Sequence, residues 1–415
     1  MKIIKKSLIQ NSQAWKPSLY EGVLVKSNSW FSIRKKQNCR FNLPPKLITT
    51  DNIRCKKIHI KPTIKQGNIL LTWFELARIA YNISIKNLRK NNRTTFREMR
   101  NIVKQEMRNN LYTNGLIKNS EVYQQTLDNA VKDVFKARKT AISNIKAKNI
   151  KFFRLRYKKK SHHIKNMVLE TDAIHKSGNG LKKRDLQNLR PSESIKNTKI
   201  LRIGYNTRTH KFVIYMPYDK QTNKQVKRNK ICALDPGIRT FQTLYSPSGI
   251  TYQFGDEKNI IRKNIDRIEN VKNFKLKSWY KKYVSRLREK LKNRIADLHW
   301  KVSSFLCKNF DTILVGNMST KGIVSNRLHL HSKTKQMTYT LSHYMFKERL
   351  SSKVIEYNCS FKVVDESYTS KTCGKCGELN QSLGGSKQFN CPRYMCLYRM
   401  DRDIHGARNI YIKNC

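Results

Sequence analysis

Four cysteines and a few acidic side chains have the types and spacing for metal chemistry. Cys373-Gly-Lys-Cys376 is a CxxC with glycine close by, and Cys391-Pro-Arg-Tyr-Met-Cys396 sets a second pair four residues apart. Four thiolates at such spacing make a closed structural zinc site that needs no histidine. A redox CxxC and a quartet that no longer binds metal are the alternatives. The cysteine segment lies between Glu366, at the end of an apolar run, and Asp401-Arg-Asp403, which opens a helix-like stretch. Far upstream, Asp235 ends the short apolar run Ile231–Leu234 and is followed by Pro236-Gly237. Phosphodiester hydrolysis by two metal ions needs carboxylates that converge from separate elements. Hard oxygen ligands select Mg²⁺ or Mn²⁺.

The elements that must position these residues are legible as changes of period. Ile231–Leu234, Thr240–Tyr245 and Ile250–Phe254 read as a meander, with Asp235 at the end of its first strand. From Lys258 to Phe310 the spacing predicts two helices; Val284, Leu287, Leu291, Ile295, Leu298, Val302 and Phe305 recur three or four apart. Thr312–Val315 is a buried strand, Leu328–Lys353 a basic helical stretch, and Phe361–Val364 a last apolar strand. An aspartate on a first strand, an acid on a later one and an aspartate at a final helix suit an α/β, RNase H-like core. Upstream, amphipathic helices are expected over Leu70–Arg89, Thr95–Asn109 and Ser120–Lys148. Strands are expected at Gly22–Val25, Ile58–Ile60, 151–160, Lys199–Gly204 and Lys211–Met216, with a loop over His175–Thr198. Phe152, Phe153, Tyr157, Tyr205 and Tyr215 could fill a barrel core or stack on bases.

Lysine and arginine number 86 against 28 acids among 415 residues, a formal charge of +58. Such an excess repels itself unless a polyanion is present, and nucleic acid is the fitting one. The charge runs along the whole chain, which favours a long channel over a single half-site. Ten cysteines, six of them scattered, suit a reducing compartment and one metal site rather than a disulfide scaffold. No signal-peptide core or membrane-length apolar run stands out, so the expectation is a soluble intracellular protein, cytoplasmic or nuclear, with no membrane partner.

With these residues in order, the chain resembles the TnpB family of transposon-encoded RNA-guided nucleases. The likeness rests on ALDPGIRTFQTLYSPSG, LSHYMFKERL, ESYTSKTCGKCGELNQSLGGS and DRDIHGARNI. It is closest to the Fanzor-like branch. The resemblance implies a RuvC-type core over 226–368 and 397–415, interrupted by a zinc domain at 369–396. It also implies a wedge-like β-barrel over 1–70 and 150–225, with a helical recognition insertion at 71–149. The implied partners are a guide RNA and a target DNA, and a monomer is expected. Asp235 and Asp403 match the first and third catalytic aspartates and would hold Mg²⁺. Asp401 is read as structural. The strand Thr312–Val315 ends at Gly316-Asn317, where many members carry glutamate; in the Fanzor-like branch a displaced glutamate takes over, here Glu366. His405 replaces a usual asparagine, the second cysteine pair is wider by two residues, and Leu397 replaces a usual glycine. A guided DNA binder without cleavage, or an unguided DNA-binding transposition accessory, would share the same charge.

Overall fold

The computed structural model describes residues 3–7, 53–91, 93–110, 114–116, 122–195, 200–220, 229–255, 258–325 and 330–415. The strand expected at Gly22–Val25 lies outside them. The fold is mixed α/β and divides into two compact units, 53–220 and 221–415, the latter joined by 1–52.

The unit that carries the candidate chemistry is built on a six-stranded sheet. Its strands are β1 (Ile3–Ser7), β6 (Ile231–Pro236), β7 (Gln242–Tyr245), β8 (Ile250–Phe254), β9 (Thr312–Gly316) and β10 (Ser360–Val364). They lie in the order β1-β8-β7-β6-β9-β10. β6, β7 and β8 form an antiparallel meander, while β9 and β10 run parallel to β6. Residues 3–7, grouped with the barrel from sequence, pair instead with β8. The anticipated helical stretches become α4 (Lys258–Asn270), α5 (Ser278–Asn309), α6 (Ser332–Leu341) and α7 (His343–Tyr357). α6 and α7 are separated at Ser342, whose φ is +50°. α8 (Arg402–Asn414) closes the chain.

Alternation along the strands sorts the sheet's two faces. Cys232, Leu234, Ile313 and Val315 join a core with Leu291, Leu298, Val302, Phe346 and Leu350 of α5 and α7. Ala233, Leu314 and Val364 face the other way and pack on Ile410 of α8. The same parity sends Asp235 and Gly316 to the α8 face, at the carboxyl ends of parallel strands.

The second unit is a four-stranded antiparallel sheet in the order β2-β5-β4-β3, formed by β2 (Ile53–Ile60), β3 (Ile164–Leu169), β4 (Leu201–Asn206) and β5 (Lys211–Asp219). β2 and β3 are its edges, so the expected barrel is not closed among the described residues. Between them run α1 (Ile64–Lys90), α2 (Phe96–Asn109) and α3 (Gln124–Lys146). Capping boxes at Thr63/Gln66 and Thr95/Glu98 start the first two, satisfying amide groups that no helical carbonyl reaches. Trp73, Leu76, Ala80 and Ile83 are buried as their spacing requires.

Residues 151–160, expected as a strand, make no ladder. Side chains of α1 take their backbone groups instead. Asn82 accepts from Lys158 N at 2.8 Å, and Arg89 donates to the Leu155 carbonyl at 2.6 Å. The Arg89 guanidinium lies 4.4 Å from the Tyr157 ring centre. The five aromatics divide: Tyr205 is core, whereas Phe152 is 82% exposed. Among the described residues no helix is long and apolar enough to cross a membrane.

Candidate active site and metal centre

Asp235 leaves the end of β6, Glu366 follows β10 by two residues, and Asp403 sits in the first turn of α8. Asp235 stands on the α8 face beside Gly406, and the charges of Glu366 and Asp403 both act on it. Burial, then the charges of Glu366 and Asp403, push the Asp235 carboxyl well above its ordinary value. Burial pushes Glu366 up to about 7, against an opposing pull from Lys347. Asp403 is raised by burial and by Asp401, with Arg239 and Arg402 opposing. Glu366 Oε2 is buried and has no hydrogen-bond partner. Asp235 feels the charge of both other acids and Glu366 keeps an orphaned oxygen; carboxylate oxygens of this kind are hard donors that could bind a divalent cation.

Two glycines create the room. A Cβ on Gly316 would collide with Glu366 Oε2, and would also stand 3.0 Å from Pro236 Cδ. A Cβ on Gly406 would press on the Asp235 carboxylate. Gly316 pairs with Val364 across β9 and β10, so clearance on one strand admits the acid that follows the other.

The neighbouring acids are otherwise engaged. Asp401 accepts from the amides of Asp403 and Ile404 at 3.0 and 3.2 Å and so caps α8. Asp365 accepts from Lys413 Nζ at 2.7 Å and from the Ser367 amide at 3.0 Å.

Sequence reasoning passed over Lys347 and Gly406. Lys347, on α7, lies 3.5 Å from Asn317 Oδ1; burial lowers its ammonium from the ordinary value, with the charge of Glu366 opposing. One turn earlier, His343 is buried against Phe241, and burial lowers it to about 4, so it is neutral. The helical spacing of 343 and 347 was visible; that Lys347 comes within electrostatic reach of Glu366 depends on the crossover. Gly406 stands three residues after Asp403, one turn along the same helix, a signal that was legible in retrospect.

The cysteine quartet assembles as its spacing required. All four Sγ atoms lie within 4.8 Å of one another. Cys376 and Cys391 are 3.5 Å apart, and Cys373 and Cys396 are 3.8 Å apart. A tetrahedral site with Zn–S near 2.3 Å places its sulfurs about 3.8 Å apart, so the quartet could bind zinc. Burial drives the Cys373 thiol up and Cys391 to about 12, so a metal is what would ionise them. Among the described residues no other cluster of metal-ligating side chains is this tight.

Each pair ends on a left-handed residue, Gly377 at φ +80° and Leu397 at +49°. The hairpin of β11 (Gln388–Asn390) and β12 (Arg399–Asp401) spans the second pair. His405 ties it to α8. Its ring stacks on Phe389 at 4.0 Å, and Nε2 meets the Thr372 carbonyl at 2.8 Å. Asn409 donates to the Thr369 and Thr372 carbonyls at 2.7 Å each. Burial first, and then Arg408, lower His405 to about 4, so it is neutral.

The Cas12f1-like, TNB domain family matches residues 343–410, from the start of α7 through the quartet to α8. Two TnpB-like proteins of Acanthamoeba polyphaga mimivirus are each 30% identical over 436 aligned positions. The alignments cover 93% of this chain and 83% and 82% of theirs. Among solved structures, the protein in the cryo-EM structure of a Cas12f1-sgRNA-target DNA complex is similar with a TM-score of 0.47 and 14% identity, over 84% of this chain and 83% of that one. With 30% identity sustained over 93% of its length, the chain belongs to the TnpB family.

Proposed function

We propose that this chain is an RNA-guided DNA endonuclease that hydrolyses phosphodiesters at Asp235, Glu366 and Asp403. The observation that carries the reading is that the charges of Glu366 and Asp403 both act on Asp235, with Gly316 leaving room beside Glu366 and Gly406 beside Asp235. The order and directions of the six strands support an RNase H-like core, with the quartet hairpin set into it before α8. Membership of the TnpB family and the charge of +58 support a guide RNA and a target DNA as partners. In this reading the sheet and helices of 53–220 act as wedge and recognition elements for the guide.

Mg²⁺ held by the three acids would supply Lewis-acid polarisation of the phosphate and a water acidic enough to attack it. The chain's own part is to bring the charges of Glu366 and Asp403 to bear on the buried Asp235, which leaves the site favourable to cations. Lys347, made less basic by burial and held charged in part by Glu366, would orient a phosphate oxygen when protonated. The cysteine quartet stands apart, as a structural site that braces α8 through His405 and Asn409.

Asp235→Ala is expected to abolish Mg²⁺-dependent DNA cleavage while nucleic-acid binding, measured by gel shift, persists. Cleavage at the wild-type rate in that variant would remove Asp235 from the site.

A further inference from the structure

The tip between α4 and α5 is not used by the nuclease reading, yet its composition is unusual for a solvated turn. Residues 272–288 carry seven Lys or Arg and no Asp or Glu. Set among them are Phe274, Trp279, Tyr280 and Tyr283. Phe274 is 47%, Trp279 44% and Tyr283 38% exposed. The rings form one group: Trp279 lies 5.7 Å from Phe274 and 5.9 Å from Tyr283, centre to centre.

The core does not account for this group. Further along α5, Leu291, Ile295, Leu298 and Val302 enter the apolar core. Trp279, Tyr283 and Arg286 follow a different stripe of the helix, spaced i, i+4 and i+7. Burial on folding therefore does not explain a tryptophan there. A protein partner fits poorly, because interface cores are depleted in lysine and here lysines flank the rings on both sides. A duplex fits poorly too, since its bases already stack on one another. Aromatic rings beside cations suit unpaired bases, whose faces are free and whose phosphates need counter-charge.

We propose that this tip is a stacking site for an unpaired DNA strand, with Trp279, Tyr283 and Phe274 receiving base faces and the flanking lysines the phosphates. The choice of DNA over RNA rests on the nuclease reading, because α5 is rooted in the unit that carries the carboxylates; the stacking chemistry does not. Any target sequence would be accepted, because every base has a face to offer.

The test uses the full-length chain, stripped of co-purifying nucleic acid at high salt and kept without Mg²⁺, so that its outcome does not depend on cleavage. A single-stranded oligodeoxynucleotide bearing 5-iodouracil, the same strand in a duplex, and its RNA counterpart are each irradiated with the protein. Adducts are mapped by peptide mass spectrometry. The expected result is adducts at residues 274–283 with the single DNA strand, and few with the duplex. A Trp279→Leu/Tyr283→Leu variant with unchanged melting temperature should lose them and bind the single strand about tenfold or more weakly. Its duplex affinity and salt slope should not change, since no phosphate contact is removed. Trp279→Phe/Tyr283→Phe should retain binding. Adducts only elsewhere, equal adducts with duplex, or unchanged single-strand affinity in the leucine variant would overturn the site. Adducts with RNA alone would overturn the choice of DNA.

Discussion

Gly316 occupies the strand end where a carboxylate was looked for, and its lack of a side chain has a spatial consequence. The volume a Cβ would fill is taken by Glu366 Oε2. The two residues form one unit, with space on β9 matched to an acid beyond β10. Gly316→Ala should displace that carboxylate by a fraction of an ångström to an ångström and slow cleavage about a hundredfold, with little loss of nucleic-acid binding; single-turnover kinetics measure it.

The same acid sets a pH dependence. Burial holds the Glu366 proton up to about 7 in the metal-free chain, while an unfolded glutamate titrates near 4.3. The native state binds the proton more tightly. Its contribution to stability is therefore complete below the unfolded value and is lost as pH rises through about 7. That loss is at most about 4 kcal/mol. Urea denaturation without added Mg²⁺ should show stability falling over this window, and Glu366→Gln should flatten the fall. Glu366 was marked in the sequence by its place after an apolar run. Gly316 looked like an absence there, because no spacing rule connects a residue on one strand to space required from another.

At the scale of elements, the meander, the two crossover strands and α8 were legible because each has a clear period and a sharp end. The stretch 151–160 was not. It has basic and aromatic residues of β character, but its hydrogen-bond partners are Arg78, Asn82 and Arg89, on a helix some seventy residues earlier. The cysteine hairpin shows the opposite case, since ligand spacing is itself a structural statement. Its wider second pair still brings four sulfurs together. At its end, Leu397 takes a left-handed backbone with its side chain 83% exposed. A side chain costs about 1–2 kcal/mol in that conformation, and glycine does not. Leu397→Gly should accordingly stabilise the hairpin by about 1 kcal/mol, read as slower zinc release to a competing chelator. Faster release would mean that the exposed leucine makes a contact in solution.

For the whole molecule, charge and family membership point the same way. A chain with 86 basic residues and 28 acids is expected to bind polyanions in a salt-dependent manner, and 93% of it aligns with a TnpB-like relative, over 83% of that relative. The grouping of residues 3–7 with the six-stranded sheet could not be read from sequence, because strand pairing over about 240 residues leaves no local mark. The grouping of Asp235, Glu366 and Asp403 was an expectation drawn from resemblance; what bears on it in the structure is that the charges of Glu366 and Asp403 both act on Asp235.

The most direct measurement is to sequence the RNA that co-purifies with the chain and assay Mg²⁺-dependent cleavage of DNA matching it, with wild type and Glu366→Ala side by side. A discrete RNA, cleavage of the matching DNA by wild type and none by the variant is the predicted result. A discrete RNA with no cleavage by wild type, or cleavage that survives in Glu366→Ala, would contradict the proposed centre. The absence of any discrete RNA would contradict guidance itself.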